Sequence, residues 1–128
     1  MDTQIFPPIV SERLELRAFE PSDRPAYDAY HTIPEVYRFL YTAVPNGDAL
    51  AEQFAGAMSS TRLKDDGDTL RLAVIRRDDT ALLGEVLLKL ANKAALQGEI
   101  GYIFNPGFGG AGYATEAVRM MLDHGFGG

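Results

Sequence analysis

The residues with the most evident chemistry are Gly107-Phe108-Gly109-Gly110-Ala111-Gly112, near the end of a 128-residue chain. They match G-x-G-x-x-G between a predicted strand and a predicted helix. Glycines let the main chain come close to phosphate oxygens. The first turn of a helix adds N–H groups that have no partner within the helix, at the positive end of its dipole. The chemistry such a turn offers is anion binding, of phosphate above all. A tight strand-to-helix connection without any ligand is the plain alternative, and a lone glycine cluster does not decide between them.

Two familiar phosphate readers are disfavoured by their own requirements. A dinucleotide-binding turn calls for an acidic residue about 20 positions on, at the end of a following strand, and Gly128 is reached before any such strand. That turn also usually follows the first strand of its domain, whereas this one follows the fourth. A P-loop requires G-x-x-x-x-G-K-[ST], and no lysine lies in or after this turn. The chain has no cysteine, which removes thiolate chemistry and disulfides. His31 and His124 show no metal-ligand spacing with acidic residues and are expected to be surface or satisfied histidines.

The elements that must position the turn can be read from periodicity. Leu14 and Leu16 alternate with charged residues in Arg13-Leu14-Glu15-Leu16-Arg17, a first strand. Pro21-Ser22-Asp23 opens a helix, with Ser22 or Asp23 as cap and Ala26, Tyr27 and Tyr30 as its apolar stripe. Pro34 starts a second short helix carrying Val36, Tyr37, Phe39 and Leu40. After a turn at Pro45-Asn46-Gly47, Leu50, Phe54, Ala57 and Met58 recur at helical spacing. Three strands follow, over 70–75, 82–90 and 99–104. The last helix, Tyr113 to Asp123, is expected to turn Ala114, Val118, Met121 and Leu122 inward.

Composition is that of one globular domain, with 46% hydrophobic and 23% charged residues. Eighteen acidic against twelve basic residues give a net charge of −6, the wrong sign for a nucleic-acid module. Met1 to Val10 lacks a basic segment and is broken by Pro7 and Pro8, unlike a signal peptide. No stretch has the ~20 apolar residues of a membrane span. A cytoplasmic protein without membrane attachment is the expectation.

Two separated segments carry a resemblance. Gly101-Tyr102-Ile103-Phe104-Asn105-Pro106, followed by Gly110-Ala111-Gly112-Tyr113-Ala114-Thr115-Glu116-Ala117, resembles the signature of GNAT N-acyltransferases as the RimJ/RimL-like ribosomal-protein alanine acetyltransferases write it. Ser11-Glu12-Arg13-Leu14-Glu15-Leu16-Arg17 is similar to the opening T-E-R-L-x-L-R of that branch. The resemblance covers essentially residues 1–128 as a single domain. It implies an α/β fold: a mixed, mostly antiparallel sheet with helices on both faces. The family follows the last helix with a strand, a helix and further strands, so a C-terminally truncated domain is expected.

The resemblance also implies acetyl-CoA as cosubstrate, without a metal, and direct attack of a primary amine on the thioester. The acceptor would be a peptide N-terminus or a small molecule. Cofactor contacts are expected from Gly109, Gly110, Ala111, Gly112, Tyr113 and Ala114, and from the main chain at Ile103, Phe104 and Asn105, where ordinary strand pairing is the alternative. Gly109 stands where the family has Gln or Arg, which removes one phosphate contact but leaves the backbone donors. Glu99 is the first choice for the base, a role that partial burial would suit, with an exposed strand-edge carboxylate as the alternative reading; Glu85 is a weaker candidate. Glu116 is expected to favour the helix dipole and neighbouring backbone over acting on substrate, and Tyr102 to fill the core, with a hydrogen bond to substrate as the alternative. The alternative function is a non-catalytic fragment that binds acyl-CoA weakly or pairs its open sheet edge with another chain, including a second copy. A nucleotide-binding domain is a distant third.

Overall fold

A computed structural model describes residues 8–34, 47–60, 68–92, 97–108 and 112–126. The order is β1 (Ile9–Val10), β2 (Leu14–Arg17), a 3-10 turn (Pro21–Asp23), α1 (Arg24–His31) and α2 (Gly47–Ser59). Then come β3 (Thr69–Arg76), β4 (Leu82–Asn92), β5 (Gln97–Phe104), a second 3-10 turn (Pro106–Phe108) and α3 (Tyr113–Phe126). The five strands lie side by side in chain order, and every neighbouring pair is antiparallel. The expected helix after Pro34 falls at residues 35–46, outside the described residues.

The alternation in β2 buries Leu14 and Leu16 on one face of the sheet. There they join Leu70, Leu72, Val86 and Leu88 beneath Ala117 and Met121 of α3. The opposite face is covered by α1 and α2, where Tyr27, Tyr30, Phe54 and Phe19 pack on Ala73 and Ile75. Edge-to-face contacts bind this aromatic layer, with Tyr27 and Phe54 ring centres 5.0 Å apart. In α3 the inward set differs from expectation. Ala117 is buried with Met121, Ala114 and Val118 are half-buried, and Leu122 is 38% exposed.

Asp23 occupies the N-cap position of α1, yet its side chain does not cap that helix. It accepts the Glu20 N–H at 2.8 Å and both Arg17 Nη groups at 2.8 and 2.9 Å. That bidentate pair ties the end of β2 to the start of α1 and holds the guanidinium pKa above its ordinary value, chiefly through the hydrogen bond to Asp23. Strand β1 was not expected. It pairs Ile9 with Leu16 and Val10 with Glu15 immediately after Pro8.

One irregularity shapes the sheet. Val74 faces Gly84 but Ile75 faces Leu82, so Leu83 is an extra residue, a bulge in β4. Gly84 in turn lies opposite Phe104 of β5. Among the described residues, no helix is long and apolar enough to cross a membrane.

Candidate functional site

The last residue of β5 and the first turn of α3 bound a cavity of about 240 Å³. Phe104, Asn105, Pro106 and Phe108 form one wall, and Gly112 to Thr115 the other. Gly112 has φ +75°, a left-handed conformation natural to glycine, and its carbonyl accepts the Glu116 N–H at 3.1 Å. It thereby starts α3 and leaves the N–H groups of Tyr113, Ala114 and Thr115 without intrahelical acceptors at the cavity. Gly109, Gly110 and Ala111 lie outside the described residues.

The strand side of the cavity is set by main-chain pairing. Asn105 donates its N–H to the Leu83 carbonyl at 2.9 Å, and its own carbonyl accepts the Phe108 N–H at 3.1 Å. The Asn105 side-chain oxygen takes the Gly107 N–H at 2.9 Å, so Asn105 builds the turn. Pairing in an antiparallel ladder alternates, so Ile103, opposite Glu85, also turns its N–H and C=O inward to β4. Phe104 and Tyr102 turn theirs to the outer edge, where no described strand pairs. Ordinary strand pairing thus takes Ile103 and Asn105, and leaves Phe104 as the main-chain group open at the cavity.

Among the described residues, no charged side chain lines this crevice. Two cations stand behind its wall: the Arg13 guanidinium carbon lies 4.5 Å from the centre of the Tyr113 ring, and that of Arg76 lies 5.2 Å from the centre of the Phe108 ring. Asp79 grips that guanidinium at 2.6 and 2.9 Å, which lowers the Asp79 carboxyl to about 2. A larger hollow of about 510 Å³ lies beyond Tyr113, against Arg13, Arg76 and Arg77. Its arginines are engaged: Arg13 with Glu116, Arg76 with Asp79, and Arg77 with the Ser11 carbonyl at 2.7 Å.

Glu116 ties the site to the other end of the chain. One of its oxygens accepts from Arg13 Nη2 at 2.6 Å and Nε at 2.8 Å, the other from the Ser11 hydroxyl at 2.7 Å. Partial burial opposes its charge, but these donors outweigh burial and hold its pKa below the usual carboxylate range. Both segments that carry the sequence resemblance therefore meet at the first turn of α3. Glu116 had been expected to act through the helix dipole; the specific partners are the additional finding.

The candidate bases separate clearly. Glu99 is exposed on β5 opposite Lys89, which is the strand carboxylate of the alternative reading and not a partly buried one. It sits roughly 17 Å along the strand from Phe104, at about 3.4 Å per residue. Glu85 is fully buried, and Tyr30 Oη donates to its Oε1 at 2.7 Å. His31 Nε2 lies 2.5 Å from the same oxygen, and Arg71 Nη1 binds Oε2. Burial is the largest influence on Glu85 and opposes its charge, yet the His31 hydrogen bond and the Arg71 charge lead the contributions that outweigh it and lower its pKa. A carboxylate so committed is a poor proton acceptor. It is the anchor of a buried polar cluster that sequence reasoning missed.

His31 is a satisfied core histidine, stacked on Tyr27 with ring centres 3.9 Å apart and its Nδ1 2.9 Å from Gln53 Nε2. The side chain of His124 is outside the described residues. Tyr102, expected in the core, is 56% exposed, because it stands on the outermost strand where nothing described covers it. It lines a second hollow of about 240 Å³ with Thr115, Val118, Arg119 and Leu122 of α3.

Comparison with known proteins agrees with this architecture. Residues 13–128 match the model of the acetyltransferase (GNAT) domain, and the chain belongs to that family. It is 31% identical over 119 residues to the uncharacterized N-acetyltransferase YnaD of Bacillus subtilis, covering 92% of this chain and 65% of that protein. The crystal structure of a GNAT-family acetyltransferase from Bacillus anthracis superposes with a TM-score of 0.79 at 26% identity, over 94% of this chain and 67% of that one. Spermidine N-acetyltransferase from Vibrio cholerae, in complex with CoA and spermine, shares the fold with a TM-score of 0.71 at 22% identity, over 91% of this chain and 66% of its own. The chain spans about two-thirds of the length of these relatives.

Proposed function

We propose that this chain supplies the acyl-CoA site of an N-acetyltransferase of the RimJ/RimL-like branch, which moves an acetyl group from acetyl-CoA to a primary amine. The observation that carries the reading is the crevice between Phe104 and the amino end of α3, within the segment matched to the GNAT family. Its residues fit the cosubstrate. The N–H groups of Tyr113, Ala114 and Thr115, which have no intrahelical acceptor, would receive the pyrophosphate together with those of Gly109, Gly110, Ala111 and Gly112. The outward N–H and C=O of Phe104 would hold the pantetheine amides, as an added strand is held.

Acetyl-CoA supplies the activated acyl group. The acceptor arrives as an ammonium and must lose a proton before attack, and Glu99 is the carboxylate proposed for that step. Glu85 is left to structure. The acceptor class is a peptide N-terminal amine or a small-molecule amine, in a cytoplasmic setting. Titration calorimetry with acetyl-CoA tests the reading, with saturable binding expected; its absence at millimolar ligand would sink it.

A second reading is favoured by the outer edge of β5, which no described strand covers, and by exposed Tyr102 and Leu122 beside it. In that reading the chain binds acyl-CoA without turnover and pairs β5 with another chain, including a second copy. A monomer by light scattering with CoA-dependent acetylation would rule it out.

A further inference from the structure

Gly84 has no room for a side chain. A Cβ placed on it would lie 2.4 Å from the Ile103 carbonyl oxygen, 2.7 Å from the Phe104 Cα and 2.9 Å from the Phe104 Cγ. Two of these are main-chain atoms, which cannot swing aside as the end of a flexible side chain does. The neighbouring glycine of the same strand pair behaves differently. A Cβ at Gly101 meets only the Leu87 side chain, at 3.6 Å and beyond, an ordinary contact.

The crowding falls where β4 is irregular. Leu83 is the bulged residue, its carbonyl takes the Asn105 N–H at 2.9 Å, and Gly84 is the next residue, paired with Phe104. Leu83 and Gly84 together therefore fix the end of β5, one by a hydrogen bond and the other by the absence of a side chain. Phe104 and Asn105 are also the wall of the crevice opposite Gly112 to Thr115. Pushing Phe104 away from β4 changes that crevice directly.

We infer that Gly84 is a positioning residue for the acyl-CoA: it lets β5 close onto β4 at Phe104 and so sets the crevice that receives the cosubstrate. It touches no ligand itself and acts through Ile103 and Phe104. The inference rests on the acyl-CoA reading above.

The test compares CoA affinity by titration calorimetry in the wild-type chain, Gly84→Ala and Gly101→Ala, with melting temperature recorded for each. Gly84→Ala is expected to weaken CoA binding by about tenfold or more, as overpacked contacts shift the backbone, while Gly101→Ala stays within about threefold. Phe54→Ala provides the comparison for stability alone, since it opens a cavity under α2, on the face of the sheet opposite α3; it should lower the melting temperature and leave CoA affinity intact. If Gly84→Ala does not accumulate as folded protein, Phe104→Ala carries the same question with Gly84 in place, and an affinity loss of about tenfold is again expected. Wild-type binding matched by Gly84→Ala, or by Phe104→Ala where that variant stands in, overturns this inference alone. A wild-type chain that binds no CoA overturns the acyl-CoA reading, and this inference falls with it.

Discussion

Glu85 and His31, 54 residues apart in sequence, meet inside the protein with Oε1 and Nε2 2.5 Å apart. The pair joins α1 to β4, and Arg71 brings the compensating charge from β3. Replacing buried ion pairs with apolar residues is often neutral or stabilising, whereas removing one partner leaves the other charge buried and unmet.

Glu85→Ala should therefore be among the most destabilising single substitutions in the chain. It strands Arg71, His31 and Tyr30 together, and a loss of roughly 3–5 kcal/mol is expected. Urea denaturation with a constant m-value measures it. A loss under about 1 kcal/mol would show that water or rearranged side chains replace the carboxylate readily.

Glu116 should give the protein part of its acid sensitivity. Its pKa is lowered in the folded state by Ser11 and Arg13, so its contribution is fully present above the unfolded value, about 4.3, and is lost as pH falls through the folded one. Glu116→Gln should flatten the fall in melting temperature below about pH 4.3, with little change in the remaining slope. Parallel curves for the two proteins would contradict this.

Gly112→Ala forces a side chain into φ +75° at the start of α3. A destabilisation of about 1–2 kcal/mol is expected, together with weaker CoA binding, because this residue starts the helix turn whose N–H groups are proposed to meet the pyrophosphate. Calorimetry on the folded variant separates the two effects, and unchanged affinity would mean that the amino end of α3 does not hold the cosubstrate.

Glu99→Gln should reduce kcat for acetyl transfer by about a hundredfold, a typical contribution for a positioned base. The dissociation constant for CoA should not move, since Glu99 lies at the far end of β5. Activity within a few-fold of wild type would remove Glu99 from the mechanism.

Much of the architecture was legible because period-two and helical spacing are local signals. Leu14 and Leu16 announced β2, and Tyr27 and Tyr30 announced the buried stripe of α1. What was not legible depends on what a side chain meets from elsewhere. Leu122 has the helical spacing of a core residue but stands exposed, and small Ala117 takes the buried place. Glu85 reads as one more charged residue in a strand until His31 and Arg71 are folded against it. Tyr102 looked like core because the sequence does not say that β5 is the outermost described strand. The phosphate-type turn was visible as a motif, whereas the division of labour among Ile103, Phe104 and Asn105 needed the ladder alternation and the bond from Asn105 to Leu83.

The clasp of Ser11 and Arg13 on Glu116 spans 105 and 103 residues. Contacts so distant form late, because the intervening loop must close first. On a ribosome, Ser11 and Arg13 would leave the exit tunnel long before their partner on α3 is made. The cosubstrate crevice, built on that same helix turn, would then be completed only once this closure is made. Ligand binding during synthesis or refolding would report the arrival of the native state itself, and CoA added to a refolding reaction should stabilise the product without accelerating the early steps.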